Sequence, residues 1–100
     1  MPNAIILTTY KLKEGVSVPD FLLAADKFHH VFACKQKGLV TCKLLVNDEM
    51  WSDYSVWESM EDFKNAEPTT IEQQTVMNEY FSLIDGKSAV DLHFVVERNY

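Results

Sequence analysis

The chain is poor in positive charge. Lysine and arginine together number 9 against 15 aspartates and glutamates, for a formal net charge of −6. No basic cluster occurs anywhere along it. Nucleic acids and anionic membrane surfaces both select basic patches, so neither is an expected partner. Long apolar runs are missing too, and none approaches the roughly 20 residues of a membrane span. Met1-Pro2-Asn3 carries no basic residue, and the apolar run from Ala4 is short and soon polar. No secretory signal is therefore expected. Cysteine is scarce: Cys34 and Cys42 flank an expected helix-to-strand turn. Both are read as reduced thiols of a cytoplasmic protein; a disulfide between them is geometrically open but not expected. Two cysteines and three scattered histidines give no metal-ligand spacing, and no metal or other cofactor is expected. There is no Ser/His/Asp triad, P-loop, nucleotide fingerprint or C-x-x-C motif. No repeat or linker divides the chain, so residues 1–100 are read as one domain.

What is present is apolar and aromatic. At 47% hydrophobic residues the chain can build a real core. A domain of this size buries only roughly 60–70% of its unfolded surface, so a partner subunit would help it. Ala4 to Lys13 reads as a first strand, rich in β-branched and aromatic residues. Glu14-Gly15 turns the chain, and Ser17-Val18-Pro19-Asp20 opens a helix with a cap, an early proline and an acidic first turn. That helix is expected to run to about Lys37, where Gly38 ends it. Val18, Phe21, Leu22, Ala25, Phe28, His29 and Phe32 fall on one stripe. Leu39 to Asn47 and Trp51 to Glu58 read as a hairpin about a polar turn.

Tyr54-Ser55-Val56-Trp57-Glu58-Ser59-Met60-Glu61-Asp62-Phe63 reads as a strand running straight into a helix, with Ser59 as the cap. Trp57 stands at that junction, a common edge for a pocket. Glu67-Pro68 interrupts the helical region, since the residue before proline avoids the α conformation. Thr69-Thr70-Ile71-Glu72 restarts it as a T-x-x-E box. Thr70, Gln73, Gln74, Met77, Tyr80, Phe81 and Ile84 then share the expected inward face, and Asp85-Gly86 ends the helix. Ser88 to Glu97 reads as the last strand, with Val90, Leu92, Phe94 and Val96 in one row.

The order is βαββαβ. The expected fold is an α+β ferredoxin-like sandwich: a four-stranded antiparallel sheet, order 4-1-3-2, with two helical regions on one face. Strands one and two carry apolar residues on both faces, where a sheet with one wet face would alternate cleanly. The open face is therefore expected to be covered by a second copy, sheet against sheet, in an isologous homodimer. A monomer with some exposed apolar residues is the other reading.

In topology over nearly the whole chain, and in the Trp57, Ser59, Phe63 pattern that closes strand three, the sequence resembles the antibiotic biosynthesis monooxygenase-like family. The resemblance implies a dimeric α+β barrel with a pocket between helices and sheet. Its members include cofactor-independent oxygenases, haem-degrading oxygenases and isomerases. The haem-degrading branch would place an Asn near Thr8, a Trp near Ala66 and a His near Val76; none of these matches, so haem degradation is disfavoured.

The candidate base is His29, on the apolar stripe of the first helix. Its other reading is a core histidine satisfied by a neighbour. His30 should face solvent. His93 faces away from the Val90–Val96 row, and falls on the dimer face if that row packs on the helices. Trp57 and Tyr54, on opposite faces of strand three, could each stack on a planar substrate or simply pack. Gln73, Gln74 and Thr8 are the candidate polar contacts. The expected function is cofactor-independent monooxygenation of a small aromatic or quinol-type molecule. The alternatives are a non-catalytic dimeric binding or stress-associated protein, or an isomerase or cyclase, on the same scaffold.

Overall fold

In the computed structural model, which describes residues 2–100, four strands and three helices follow one another as expected. They are β1 (Ala4–Leu12), α1 (Val18–Val31), β2 (Leu39–Asn47), β3 (Met50–Trp57), α2 (Met60–Asn65), α3 (Ile71–Ser82) and β4 (Ile84–Val95). The sheet order is β2-β3-β1-β4, all antiparallel, as read from the sequence. The architecture is α+β and ferredoxin-like. No helix among the described residues is long and apolar enough to cross a membrane.

Each helix begins where a hydroxyl can take up a free N–H. The oxygens of Ser17, Ser59 and Thr70 accept from the backbone N–H of Asp20, Asp62 and Gln73. The third cap corrects the sequence reading by one residue: Thr70, not Thr69, is the cap, and Gln73 answers it instead of Glu72. Val76 and Tyr80 are buried, and Gln74 is exposed, bonded to Asn78 on its own helix.

Two further boundaries differ. α1 stops at Val31 instead of reaching Lys37, and a 3-10 turn over Ala33–Lys35 follows it. The Gln36 side-chain amide donates to the Phe32 carbonyl, which gives that helix-end acceptor a partner. Gly38 then reverses the chain at φ 85°, and a Cβ there would collide with Asp62. β4 begins at Ile84, four residues before the expected Ser88, and runs through Asp85-Gly86. Its register against β1 shifts between Thr9 and Lys11. Side chains hold that irregularity: Ser88 Oγ accepts from the Lys11 N–H at 2.8 Å and donates to the Asp85 carbonyl at 2.7 Å.

The buried residues form two clusters on one sheet face. The larger gathers Tyr10, Phe21, Phe28, Phe32, Trp51 and Tyr80. The smaller gathers Ala4, Ile6 and Trp57, with Leu39, Met60, Phe63 and Ala66 packed against them. The gap between them has a cause in the sequence. The helix-facing row of β1 runs Ala4, Ile6, Thr8, Tyr10, and that of β3 runs Trp51, Asp53, Ser55, Trp57. Small or polar residues occupy the middle of each row, so the core cannot close there.

The register corrects the placement of the last strand. His93 pairs with the inward residue Ile6, and its ring sits edge-on to Phe63 of α2 at 5.0 Å. It therefore lies on the helix side of the sheet, not on the open face. The Val90, Leu92, Phe94 row lies on the open face, with exposures of 51%, 40% and 51%.

Candidate functional site

The gap between the two clusters is a cavity of about 520 Å³. Its walls are mainly apolar: Phe28, Phe32 and Phe81 on the helix side, Ile6 and Trp57 on the sheet side, and Phe63 at the α2 end. Its polar groups converge from different elements: His29 of α1, Thr8 of β1, Cys42 of β2, Asp53 and Ser55 of β3, Lys64 of α2 and Asp91 of β4, with Gln36 after the 3-10 turn. An apolar pocket with a few fixed polar groups is the usual form of a small-molecule site.

His29 is partly buried, and Nδ1 lies 2.7 Å from the Ala25 carbonyl. A carbonyl only accepts, so Nδ1 carries the hydrogen, and in the neutral ring the lone pair is on Nε2. Among the described residues no protein group is hydrogen-bonded to Nε2. A backbone carbonyl thus satisfies one ring nitrogen of His29, as a core histidine requires, and the other has no protein partner among the described residues.

Next to it stands a cluster that was not singled out from the sequence. The Tyr80 hydroxyl donates to the Asp53 carboxylate, at 2.8 Å from Oδ1 and 3.0 Å from Oδ2. The Tyr10 hydroxyl lies 3.1 Å from Oδ1 and 2.6 Å from the Tyr80 hydroxyl. Burial holds the Asp53 carboxyl above the ordinary carboxylate range; the hydrogen bond from Tyr80, the charge of His29 and the hydrogen bond from Tyr10 oppose that rise. Burial, reinforced by the Asp53 charge, pushes both phenols far above their usual value, so they stay protonated. The Tyr80 ring is 5.9 Å from the His29 ring, edge to face. Beside His29 the half-buried Asp53 carboxyl is thus held by two tyrosine hydroxyls.

The raised Asp53 pKa sets a pH dependence. As pH rises from the unfolded value near 3.9, the unfolded chain loses this proton first. Unfolding then releases a proton, so stability falls until the folded group has also ionised. Asp53→Asn removes that loss. Its thermal midpoint relative to the wild type is expected to climb with pH through that window and then level off, as read by parallel melts. A pH-independent difference would contradict the placement of Asp53.

The other sequence candidates divide. Trp57 and Thr8 line the cavity. Trp57 is 5% exposed and donates its N–H to Ser55 Oγ at 2.9 Å, with Phe63 edge-on to its ring. Thr8 donates to Asp91 at 2.7 Å, and Asp91 also holds His93 at 2.8 Å. Tyr54 borders the cavity, but strand alternation sends its side chain to the open face. Gln73 and Gln74 do not line it. Gln73 Oε1 accepts from the Thr69 N–H, and its amide donates to the Val31 carbonyl, so its polar atoms are spent on holding α3. Ala66 lines the cavity, leaving space where a bulky ring would stand, while Val76 is packed in the core. Cys42 and Asp53 had one signal in the sequence: polar residues on inward strand rows otherwise filled by large side chains.

The same fold occurs in solved structures. SnoaB, a cofactor-independent oxygenase from Streptomyces nogalater, superposes with a TM-score of 0.76 at 15% identity, covering 99% of this chain and 97% of its own. A proposed antibiotic biosynthesis monooxygenase from Caulobacter crescentus superposes with a TM-score of 0.76 at 11% identity, over 97% and 92% of the two chains. A dimeric protein of unknown function and ferredoxin-like fold from Bacteroides fragilis gives 0.65 at 17% identity, over 94% and 96%. No family model matches the sequence, and no curated protein matches it. At these identities the likeness is one of fold. The fold is the one that the resemblance carried by Trp57, Ser59 and Phe63 implies.

Proposed function

We propose that the protein is a cofactor-independent monooxygenase acting on a small phenolic or quinol-type aromatic in the cavity between helices and sheet. The observation that carries this reading is the aromatic-walled cavity of about 520 Å³ with the free Nε2 of His29 at its wall. The fold shared with SnoaB supports it.

In this scheme Trp57 and Phe63 form the wall against which the ring lies, and Thr8 and Ser55 offer hydroxyls to its substituents. Nε2 of His29 takes the phenolic proton, and the charge of Asp53 favours the imidazolium that forms. The phenolate is electron-rich at a ring carbon and passes electrons to dioxygen. A C–O bond forms there, and the resulting peroxide splits at its O–O bond. One oxygen stays as a carbonyl and the other leaves as water, so phenol plus dioxygen gives quinone plus water. Oxygen uptake by the purified protein across a panel of phenols and quinols tests this. Uptake above the uncatalysed rate, matched by quinone formation, is expected; ligand binding without uptake would favour the non-catalytic binding protein.

The working unit in this reading is a cytoplasmic homodimer joined through the open sheet face. The exposed Val90, Leu92 and Phe94 row supports it, since a contiguous apolar face of this kind marks an interface. The dimeric state of the Bacteroides fragilis protein points the same way. Light scattering during gel filtration should return twice the 11.5 kDa chain mass for the wild type and the chain mass for Phe94→Glu. A wild type at 11.5 kDa would exclude the dimer.

A further inference from the structure

A second, smaller cavity of about 230 Å³ lies on the other side of His29, between α1, the 3-10 turn and β2. His29 and Cys42 line both cavities, and Cys34 lines the smaller one. The sulfurs of Cys34 and Cys42 are 3.8 Å apart, and both cysteines are free thiols. They belong to different elements, brought face to face by the left-handed turn at Gly38. A disulfide holds its sulfurs about 2.05 Å apart, so an approach of roughly 1.8 Å would close it. The 3-10 turn is suited to that movement, because none of its three residues is buried.

The two thiols have different access. Cys34 is exposed, open to a small oxidant, while Cys42 is half-buried. Burial pushes the Cys42 thiol up to about 11, helped by Cys34 and the Asp53 charge, so it stays protonated until a partner sulfur is activated.

We propose that Cys34 and Cys42 form a reversible intrachain disulfide on exposure to a hydroperoxide, and that this crosslink narrows the main cavity. The Cys34 thiolate attacks the peroxide; an S–O bond forms, the O–O bond breaks, and hydroxide leaves and takes a proton. The Cys42 sulfur then attacks the Cys34 sulfenic acid; the S–S bond forms and water departs with the Cys42 proton. The two thiols lose two electrons, and hydrogen peroxide is reduced to two waters. Ala33 of the turn and Gln36 just after it line the main cavity along with Cys42 of β2. Drawing the sulfurs together brings those walls closer.

The crosslink stands apart from the oxygenase reading, and each can fail alone. Lys27, Lys35, Lys37 and Lys43 place the two cysteines on separate tryptic peptides. After treatment of the reduced full chain with equimolar hydrogen peroxide, Phe28–Lys35 should appear joined to Gly38–Lys43, two hydrogens lighter than their sum. The protein should still run as one chain on a non-reducing gel. The joined peptide should vanish with dithiothreitol and be absent from Cys34→Ser and Cys42→Ser. Two free thiols after treatment, an interchain link, or Cys34 over-oxidised beside a free Cys42 would each overturn the crosslink. For the cavity, 1-naphthol binding followed by tryptophan quenching should weaken at least threefold on oxidation and recover with dithiothreitol. Unchanged or tighter binding would overturn the narrowing. No binding to the reduced protein would overturn it together with the aromatic-site reading, and would leave the crosslink to the peptide result.

Discussion

His29→Gln should lower turnover by a factor on the order of 10² to 10⁴, the usual contribution of a positioned general base, while changing KM little. Glutamine fills a similar volume and keeps a hydrogen-bonding side chain beside the Ala25 carbonyl, so the helix and the cavity wall should survive. What it lacks is a basic nitrogen. The wild-type ring is held with Nδ1 as donor at 2.7 Å, which leaves Nε2 as its basic atom. The loss should therefore fall on kcat, because the proton moves only as the substrate reacts. Equal turnover in wild type and variant would remove His29 as the base and shift attention to Asp91, the other carboxylate at the cavity wall that holds a histidine.

Phe21→Ala should cost about 3–5 kcal/mol, the largest effect on stability expected from a single truncation in this core. Phe21 is 0% exposed, with its ring 4.9 Å from Trp51, 5.5 Å from Tyr80 and 6.2 Å from Tyr10. Removing it opens a cavity among three large aromatics that cannot collapse into it together. For a domain of this size the thermal midpoint should drop by about 12 °C or more. Melts are compared at one protein concentration, because association shifts the midpoint. Val18→Ala, on the same helix but 47% exposed, should change stability by no more than about 0.5 kcal/mol. A Phe21 variant as stable as the Val18 variant would contradict the core described for α1. Phe21 also stacks on Tyr80, so its loss should loosen the hydroxyls that hold Asp53.

The fold was legible because its signals are local. A hydroxyl cap, a proline and an acidic turn open α1, and alternation marks the strands. The order βαββαβ then leaves few ways to connect them. The lining of the cavity was legible where a residue's own element placed it: His29 on the α1 stripe, Trp57 at the strand-to-helix junction, Thr8 on β1. It failed where polar residues adjoin the inward face of a helix: Gln74 turns to solvent and bonds Asn78, and Gln73 is tied to the helix start. The β4 row was ambiguous because Val90, Leu92 and Phe94 are as apolar as a core row, yet they face outward and leave His93 inside. Asp53 was hidden for another reason. An acid between Trp51 and Trp57 is visible in the sequence, but its partners are 43 and 27 residues away, and only the folded sheet and α3 bring them together.

In the proposed reaction this cavity inserts one atom of dioxygen into an aromatic ring after proton removal by His29. Turnover of a phenol accepted in the uptake panel under ¹⁸O₂, with mass spectrometry of the quinone, tests it most directly. One ¹⁸O per quinone with the wild type, and a rate at least 10²-fold lower with His29→Gln, is the expected result. Quinone without label, or equal rates for the two proteins, would contradict it.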